Sequence, residues 1–431
     1  MNKVKIGMLG ICNIAKGTYR TLELSRKKIE DSTEVSFEIV KILNRRPDED
    51  RGIDIPKEKY VTDVNEILDD PEIDIVVELI GGIEPATEYM AAALSRGKHV
   101  VTANKAAIAA NGEMLQRIAQ ENHAKLRFEA SVGGGIPIIN AITTALLSNE
   151  FTEILGILNG TTNYIMTQMT EYGKDYADVL KEAQEKGFAE ADPTADVEGI
   201  DVANKLSILI SLIFGLYIAP EDIPTHGITG ITSEDIATAN EFGYKIKLLA
   251  SAKMVDKGKI SCNVLPCFVP AGHPLAVVSN EFNAIYVTGN AVDNLMFYGK
   301  GAGPLPTGSA VMGDIIGIGK SMGKDAAYDI NPLLRYDADL DFIGEGENQY
   351  YIRVTAIDQP GVLGAVASTL GKYEVGIESM VQRAGQNGGK DSVPLIFIVY
   401  KTDRKVLDKA LNELIENNYV ESIDNVLRVQ E

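Results

Sequence analysis

Asp201 and Lys205 stand four residues apart in a run that is otherwise almost wholly apolar. The turn signals Asp192-Pro193 and Gly199 precede a segment, Ile200–Tyr217, that reads as one helix, and a spacing of four puts carboxylate and ammonium on the same face. On an exposed helix such an ion pair contributes only roughly a few tenths of a kcal/mol. Here the remaining positions are Ile, Leu, Val and Phe, so the helix is expected to be buried, with its polar stripe (Asn204, Ser207 and Ser211 beside the pair) lining a cleft. A lysine partly desolvated in a cleft loses proton affinity and suits proton transfer at an alcohol or carbonyl, with Asp201 holding it in place.

A second chemical signal lies near the N-terminus, Gly7-Met8-Leu9-Gly10-Ile11-Cys12-Asn13-Ile14-Ala15. A dinucleotide turn wants glycines for the tight turn, for close approach of the diphosphate and for helix–strand packing. Gly10 fills the first place, but Cys12 and Ala15 stand in the other two, and a Cβ with a sulfur at Cys12 would crowd the phosphates. Alone, this is equally an ordinary strand–helix turn. Its place after the first strand, at a helix N-terminus, suits a diphosphate seated against Gly10, Cys12, Asn13 and Ile14. The second strand ends in Asn44-Arg45-Arg46, with no carboxylate for a ribose hydroxyl and two guanidiniums for a 2′-phosphate. NADP(H) is therefore expected over NAD(H). The alternative is a solvated basic turn neutralised by Asp48, Glu49 and Asp50.

These residues need a scaffold. Strands at Lys3–Leu9, Val35–Leu43, Asp74–Ile80, His99–Thr102 and Lys125–Ala130 alternate with helices to about Ile29, at Ala86–Arg96 and at Gly112–Asn122, which predicts a doubly wound parallel α/β sheet. Gly133-Gly134-Gly135 and Pro137 mark a crossing into an α+β domain with strands at Ile260–Val269 and Ala284–Gly289. The expected domains are 1–134 for the dinucleotide, joined again by a helix near Ser309–Gly323 (residues 304–325), and 135–303 for substrate and dimerisation. After a polar join at Asp337–Asn348, residues 349–431 read strand (Tyr350–Ala356), helix (Val362–Tyr373), strand (Ile377–Ala384), loop (Gly385–Asp391), strand (Pro394–Tyr400), helix (Arg404–Asn417) and strand (Val420–Leu427). That is a ferredoxin-like βαββαβ unit forming a separate third domain.

Length and charge bound the rest. A chain of 431 residues exceeds one ordinary core, and a net charge of −20 repels nucleic acid and anionic membrane. Three cysteines, Cys12, Cys262 and Cys267, form no regular framework, so free thiols in a reducing, cytoplasmic setting are expected, the latter two as buried hydrophobes rather than zinc ligands. His99, His123, His226 and His273 are too scattered for a metal cluster. The most apolar run, Leu206–Ile218, is too short to span a bilayer.

The segment Ala183–Lys205, with Gly187, Asp192-Pro193, Asp196, Gly199, Asp201 and Lys205 at their spacings, resembles the signature of the homoserine dehydrogenase family. Val76–Gly82, Val101–Lys105, Glu129–Pro137, Leu158–Tyr164 and Gly301–Thr307 match in order, so the resemblance covers residues 3–330. It implies hydride transfer between NAD(P)H and L-aspartate 4-semialdehyde, giving L-homoserine. Lys205 is then the acid–base group on the substrate oxygen, and Asp201 and Glu190 bind substrate, Glu190 at its ammonium. Lys105 would reach cofactor and substrate, and Gly187 and Gly303 the nicotinamide end. Glu129 with the carbonyls of Val132, Gly134 and Ile136 would cage a sodium ion, a set of hard oxygen donors. Rival readings are a reductase of another semialdehyde, and a catalytically weak amino-acid sensor motivated by Cys12.

At the C-terminus, Ile357-Asp358-Gln359-Pro360-Gly361-Val362-Leu363 ends a strand and opens a helix whose N–H groups could seat a carboxylate. Order and turn resemble an ACT domain. The resemblance implies an amino-acid effector, L-threonine, at Asp358, Gly361, Val362 and Leu363, and a homodimer or homotetramer through paired modules. A purely dimerising domain is the alternative.

Overall fold

The computed structural model describes residues 2–47, 49, 52–256, 258–322, 332–382 and 392–430. The chain folds as two compact units, one of Met1–Gly160, Asp201–Asp222 and Glu281–Asp339, the other of Thr161–Ile200, Ile223–Asn280 and Leu340–Glu431.

In the first unit, β1 (Asn2–Leu9), β2 (Val35–Leu43), β3 (Tyr60–Val61), β4 (Ile75–Glu78), β5 (His99–Thr102) and β6 (Leu126–Arg127) form a parallel sheet ordered β3-β2-β1-β4-β5-β6. Every residue of β4 is buried, as expected of a strand covered on both faces, and this is why Ile75-Val76-Val77 reads as an apolar run. The strand order reverses between β1 and β4, which places the ligand crevice of such sheets at their C-terminal ends. Gly10 turns there with φ +100°, and a Cβ on it would lie 2.9 Å from the Leu79 carbonyl oxygen. Only glycine fits.

Several boundaries differ from expectation. The two-residue edge strand β3 is too short to leave a periodic signal. The strand expected over Lys125–Ala130 pairs only at β6 and then tightens into a 3₁₀ turn at Glu129–Ser131. The helix expected from Gly112 starts at Lys105, because the Asn104 side chain accepts from the Ala107 amide at 3.1 Å and caps it. Gly112 then lies inside the helix and not at its start, and a Cβ there would meet Leu334 Cδ1 at 2.5 Å.

The helix Pro304–Ser321 starts before the expected Ser309. Its Val311, Met312, Ile315 and Ile318 share one core with Val4, Ile6, Phe37 and Val77 of the parallel sheet. It crosses the helix Asn13–Thr33 through glycines: a Cβ on Gly17 would lie 1.8 Å from the Pro304 carbonyl oxygen, and one on Gly308 2.5 Å from the Gly17 carbonyl carbon.

Further strands are β7 (Phe151–Ile157), β8 (Tyr244–Asp256), β9 (Lys259–Pro270), β10 (Phe282–Gly289) and β11 (Asp293–Lys300). In the first unit β10 pairs antiparallel with β7 and β11. In the second, β8 and β9 form a long antiparallel pair. The C-terminal segment adds β12 (Asp341–Phe342), β13 (Glu347–Ile357), β14 (Ile377–Gln382), β15 (Ser392–Asp403) and β16 (Val420–Val429), with helices Val362–Lys372 and Arg404–Glu416. The order β16-β13-β15-β14 is that of the expected βαββαβ unit, and Val366, Leu370, Leu407, Leu411 and Leu414 close its core. Its sheet does not stop at its own edge. β16 runs parallel against β9, pairing Arg428 with Cys267 and Val429 with Phe268, and β12 also pairs with β9. The end of the expected strand Ile377–Ala384, the loop Gly385–Asp391, Asp48 and Asp50 lie outside the described residues. No helix among the described residues is long and apolar enough to cross a membrane.

The glycine crossing is testable. Gly17→Ala is expected to lower the unfolding free energy by about 2 kcal/mol or more, because backbone and not a flexible side chain blocks the new methyl. Gly313→Ala, on the exposed face of the helix Pro304–Ser321 with open space at its Cβ, is expected to raise it by about 0.5–1 kcal/mol. Denaturant unfolding of both variants checks the pair, and equal effects would contradict the close approach.

Candidate active site

β7 ends at Ile157, and Leu158 and Asn159 turn the chain into the helix Gly160–Tyr172. Close to this turn within the first unit lies the helix Ile200–Ile213. It stops four residues before the expected Tyr217, because Gly215 adopts φ +72° and reverses the chain. Ser207 and Ser211, expected to face a cleft, instead donate to the carbonyls of Ile218 at 2.6 Å and Leu216 at 3.2 Å and pin the returning segment to the helix.

Asp201 and Lys205 share a face of this helix, as their spacing requires, and are 7% and 9% exposed. Lys205 Nζ donates to Asp201 Oδ2 at 2.6 Å and to the Leu158 carbonyl at 2.7 Å. Lys105, the first residue of its helix, sends its Nζ to Asp201 Oδ1 at 2.8 Å. Asn159 Nδ2 donates to Asp201 Oδ2 at 3.0 Å. One buried carboxylate thus joins two ammonium groups and an amide from separate elements. Burial alone would raise its pKa, but the charges of Lys205 and then Lys105, with their hydrogen bonds, hold it well below the usual carboxylate range. The site carries two cations and a fixed anion, suited to hold a polar substrate and to move a proton. Sequence reasoning missed the contacts of Leu158 and Asn159; the quoted Leu158–Tyr164 motif was the signal for them.

Glu129 is buried, and its carboxylate accepts from the amides of Ile139 at 2.9 Å and Asn140 at 2.6 Å. Burial first, then the carboxylate of Asp314, push its pKa up to about 8, against the pull of those amides and Arg127. The adjoining turn carries Gly133 and Gly134 at positive φ, and a Cβ on Gly134 would lie 2.3 Å from the Gly301 carbonyl oxygen. A carboxylate and backbone carbonyls are hard oxygen donors of the kind a cation such as sodium takes.

Gly10 and Cys12 stand between the end of β1 and the start of the helix Asn13–Thr33. Cys12 is exposed at the N-cap of the helix Asn13–Thr33 without a side-chain cap bond, so its sulfur is not committed to the protein there. With Gly10 and the helix N-terminus, this end fits a diphosphate. Arg45 is exposed, whereas Arg46 pairs with Glu49 at 2.7 Å. Gly303, at φ +118°, caps the helix Pro304–Ser321. Gly187, at φ +74°, and exposed Glu190 belong to the second unit, after the helix Tyr176–Glu185. Burial pushes the Cys262 and Cys267 thiols up to about 12 and about 11, which makes them inert. His99 and His273 accept backbone amides through Nδ1, a structural use.

The C-terminal turn Asp358–Gly361 is exposed, with Gly361 at φ +96° before the helix Val362–Lys372. Behind this module, in the second unit, Asp235 is fully buried. It accepts from Tyr351 Oη at 3.0 Å, Arg353 Nε at 2.9 Å and Asn425 Nδ2 at 2.9 Å, and it completes a capping box with Thr232.

A parallel dinucleotide-type sheet and a buried lysine–carboxylate cluster on one chain define an NAD(P)-dependent oxidoreductase. Family models agree along the chain: residues 10–129 match "Homoserine dehydrogenase, NAD binding domain", 137–316 "Homoserine dehydrogenase" and 350–417 "ACT domain". The chain is 36% identical to homoserine dehydrogenase of Bacillus subtilis, over 100% of this chain and 99% of that protein. The crystal structure of a homoserine dehydrogenase from Thiobacillus denitrificans superposes with a TM-score of 0.92 at 36% identity, covering 100% of this chain and 99% of the other. A hyperthermophilic archaeal homoserine dehydrogenase in complex with NADPH covers 73% of this chain and 97% of its own, at a TM-score of 0.61 and 26% identity. The chain belongs to the homoserine dehydrogenase family and ends in an ACT domain.

Asp201→Asn would leave the ammonium of Lys205 buried without its anion. The unfolding free energy at pH 7 is expected to fall by about 3 kcal/mol. Denaturant titration checks this, and a loss under about 1 kcal/mol would mean the pair behaves as a surface contact.

Proposed function

We propose that the protein reduces L-aspartate 4-semialdehyde to L-homoserine, reversibly, within threonine, methionine and isoleucine biosynthesis. The observation that carries this reading is the Lys105–Asp201–Lys205 cluster at the residues where the family resemblance is densest. A bound nicotinamide supplies or accepts the hydride. Lys205 donates a proton to the carbonyl oxygen as it becomes an alkoxide, and takes it back in the reverse direction. Asp201 holds Lys205 and, with Lys105 and Glu190, binds substrate, Glu190 at the ammonium. Gly10, Cys12, Asn13 and Ile14 hold the diphosphate, and Lys105, Gly187 and Gly303 border the nicotinamide. Arg45, with Arg46, meets a 2′-phosphate, so NADP(H) is preferred to NAD(H), a reading helped by the archaeal relative's NADPH. Glu129 with the carbonyls of Val132, Gly134 and Ile136 holds a structural sodium ion.

The division of labour follows the chain: 1–134 with 304–325 for the dinucleotide, 135–303 for substrate and dimerisation, 349–431 for regulation. L-Threonine bound at Asp358, Gly361, Val362 and Leu363 inhibits, and the protein works as a cytoplasmic homodimer or homotetramer. What supports coupling is the buried Asp235 network, which ties β13 and β16 of the ACT module to the helix Ser233–Glu241.

Lys205→Ala is expected to lower kcat for NADPH oxidation by aspartate semialdehyde at least about a hundredfold. NADPH affinity, read by fluorescence titration, stays near normal. Retained turnover would refute the acid–base role.

For regulation, Asp358→Ala is a cleaner probe than removing residues 349–431, because truncation would strip β9 of its neighbour β16. L-Threonine is expected to inhibit the parent, and the substitution to raise the half-inhibitory concentration about fivefold or more without changing uninhibited kcat. No inhibition of the parent would leave the ACT domain a dimerising module.

A further inference from the structure

The turn between β7 and the helix Gly160–Tyr172 brings two groups to the lysine–carboxylate cluster: the Leu158 carbonyl, which accepts from Lys205, and Asn159 Nδ2, which donates to Asp201 Oδ2. We propose that Asn159 is a positioning residue for the reaction, setting the plane of the Asp201 carboxylate and weakening the grip of its Oδ2 on the Lys205 proton. The proposal deepens the reading of Lys205 as proton donor and rests on it.

Two physical points carry it. The terminal torsion of an aspartate is broad, so two ammonium groups alone leave the plane of the carboxylate loosely defined. Asn159, 5% exposed, comes from an element other than those of the two lysines. It bonds the oxygen that Lys205 uses at 2.6 Å, which leaves Oδ1 to Lys105 at 2.8 Å.

The second point is charge. An amide N–H stabilises the carboxylate anion without adding a positive charge beside Lys205. By drawing charge from Oδ2 it lowers the proton affinity of the lysine sharing that oxygen, the direction a proton donor requires. Asp201 on its own helix faces Lys205, and Lys105 from the helix Lys105–Glu121 reaches the same carboxylate, while the turn brings the neutral dipoles of the Leu158 carbonyl and the Asn159 amide. Removing the Asn159 donor therefore makes Asp201 a stronger anion and raises the proton affinity of Lys205.

The test is steady-state homoserine oxidation against pH by the full-length chain carrying Asn159→Ala or Asn159→Ser, with thermal midpoints measured in parallel. In this direction Lys205 must be deprotonated, so the rate climbs with pH through its titration. Asn159→Ala is expected to lower kcat about tenfold or more and to move the ascending limb upward by about half to one pH unit, with KM for NADP+ changed less than about twofold. Asn159→Ser keeps a hydroxyl donor and is expected to recover part of both effects; it gives the same readout should the alanine variant fail to fold. An unshifted limb overturns the proposal, whether kcat is retained or falls together with the thermal midpoint, because the side chain is then structural only. Lys205→Ala separates the two failures: if that variant keeps its activity the acid–base reading itself is wrong, and if it is inactive while Asn159 variants keep the parental limb, only the positioning role is wrong.

Discussion

The structure depends on one carboxylate. Asp201 is buried between Lys205 on its own helix and Lys105 from the helix after β5, with Asn159 from the turn after β7 as a further donor. A buried carboxylate alone would take up a proton, and a buried ammonium alone would lose one. Together they keep opposite charges in a place where neither would persist singly. The constraint is demanding, since the desolvation of each charge is offset only by close geometry, and three separate elements must deliver that geometry at once.

The scaffold meets it through glycines and caps at a few positions. Asn104 caps the helix that opens with Lys105 and so fixes where that ammonium starts. Gly199 and Gly215, both at positive φ, bound the helix that bears Asp201 and Lys205, while Ser207 and Ser211 tie its far side to the returning chain. Gly17 and Gly308 let the helix Pro304–Ser321 press onto the helix Asn13–Thr33, so a late segment completes the core under the dinucleotide crevice. In the other unit a second buried carboxylate, Asp235, does a similar job for the ACT module, gathering Tyr351, Arg353 and Asn425 around the start of one helix.

Much of this was legible in the sequence, because the strongest signals are local. The four-residue spacing of Asp201 and Lys205 in an apolar run gave both their shared face and their burial. Strand–helix alternation gave the parallel sheet, and the C-terminal order gave the ferredoxin-like unit. What stayed hidden depends on partners distant in the chain or on single residues. The bond from Lys105 to Asp201 and that from Asn159 have no periodic trace. Gly112 looks like a helix start until Asn104 is seen capping the helix two turns earlier, and Ser207 and Ser211 look like cleft residues until the returning carbonyls of Ile218 and Leu216 are placed. The extension of the ACT sheet onto β9 involves a short parallel pairing that neither strand announces.

Asp201 pairs with both Lys105 and Lys205, a link that would make the two lysines one catalytic constellation. Turnover of Lys105→Met, Lys205→Met and the double variant, each as kcat/KM for aspartate semialdehyde, tests it most directly. Groups that work as a unit are strongly non-additive, so the double variant should be little slower than the slower single one. Multiplicative losses would show two lysines acting independently and would contradict the account.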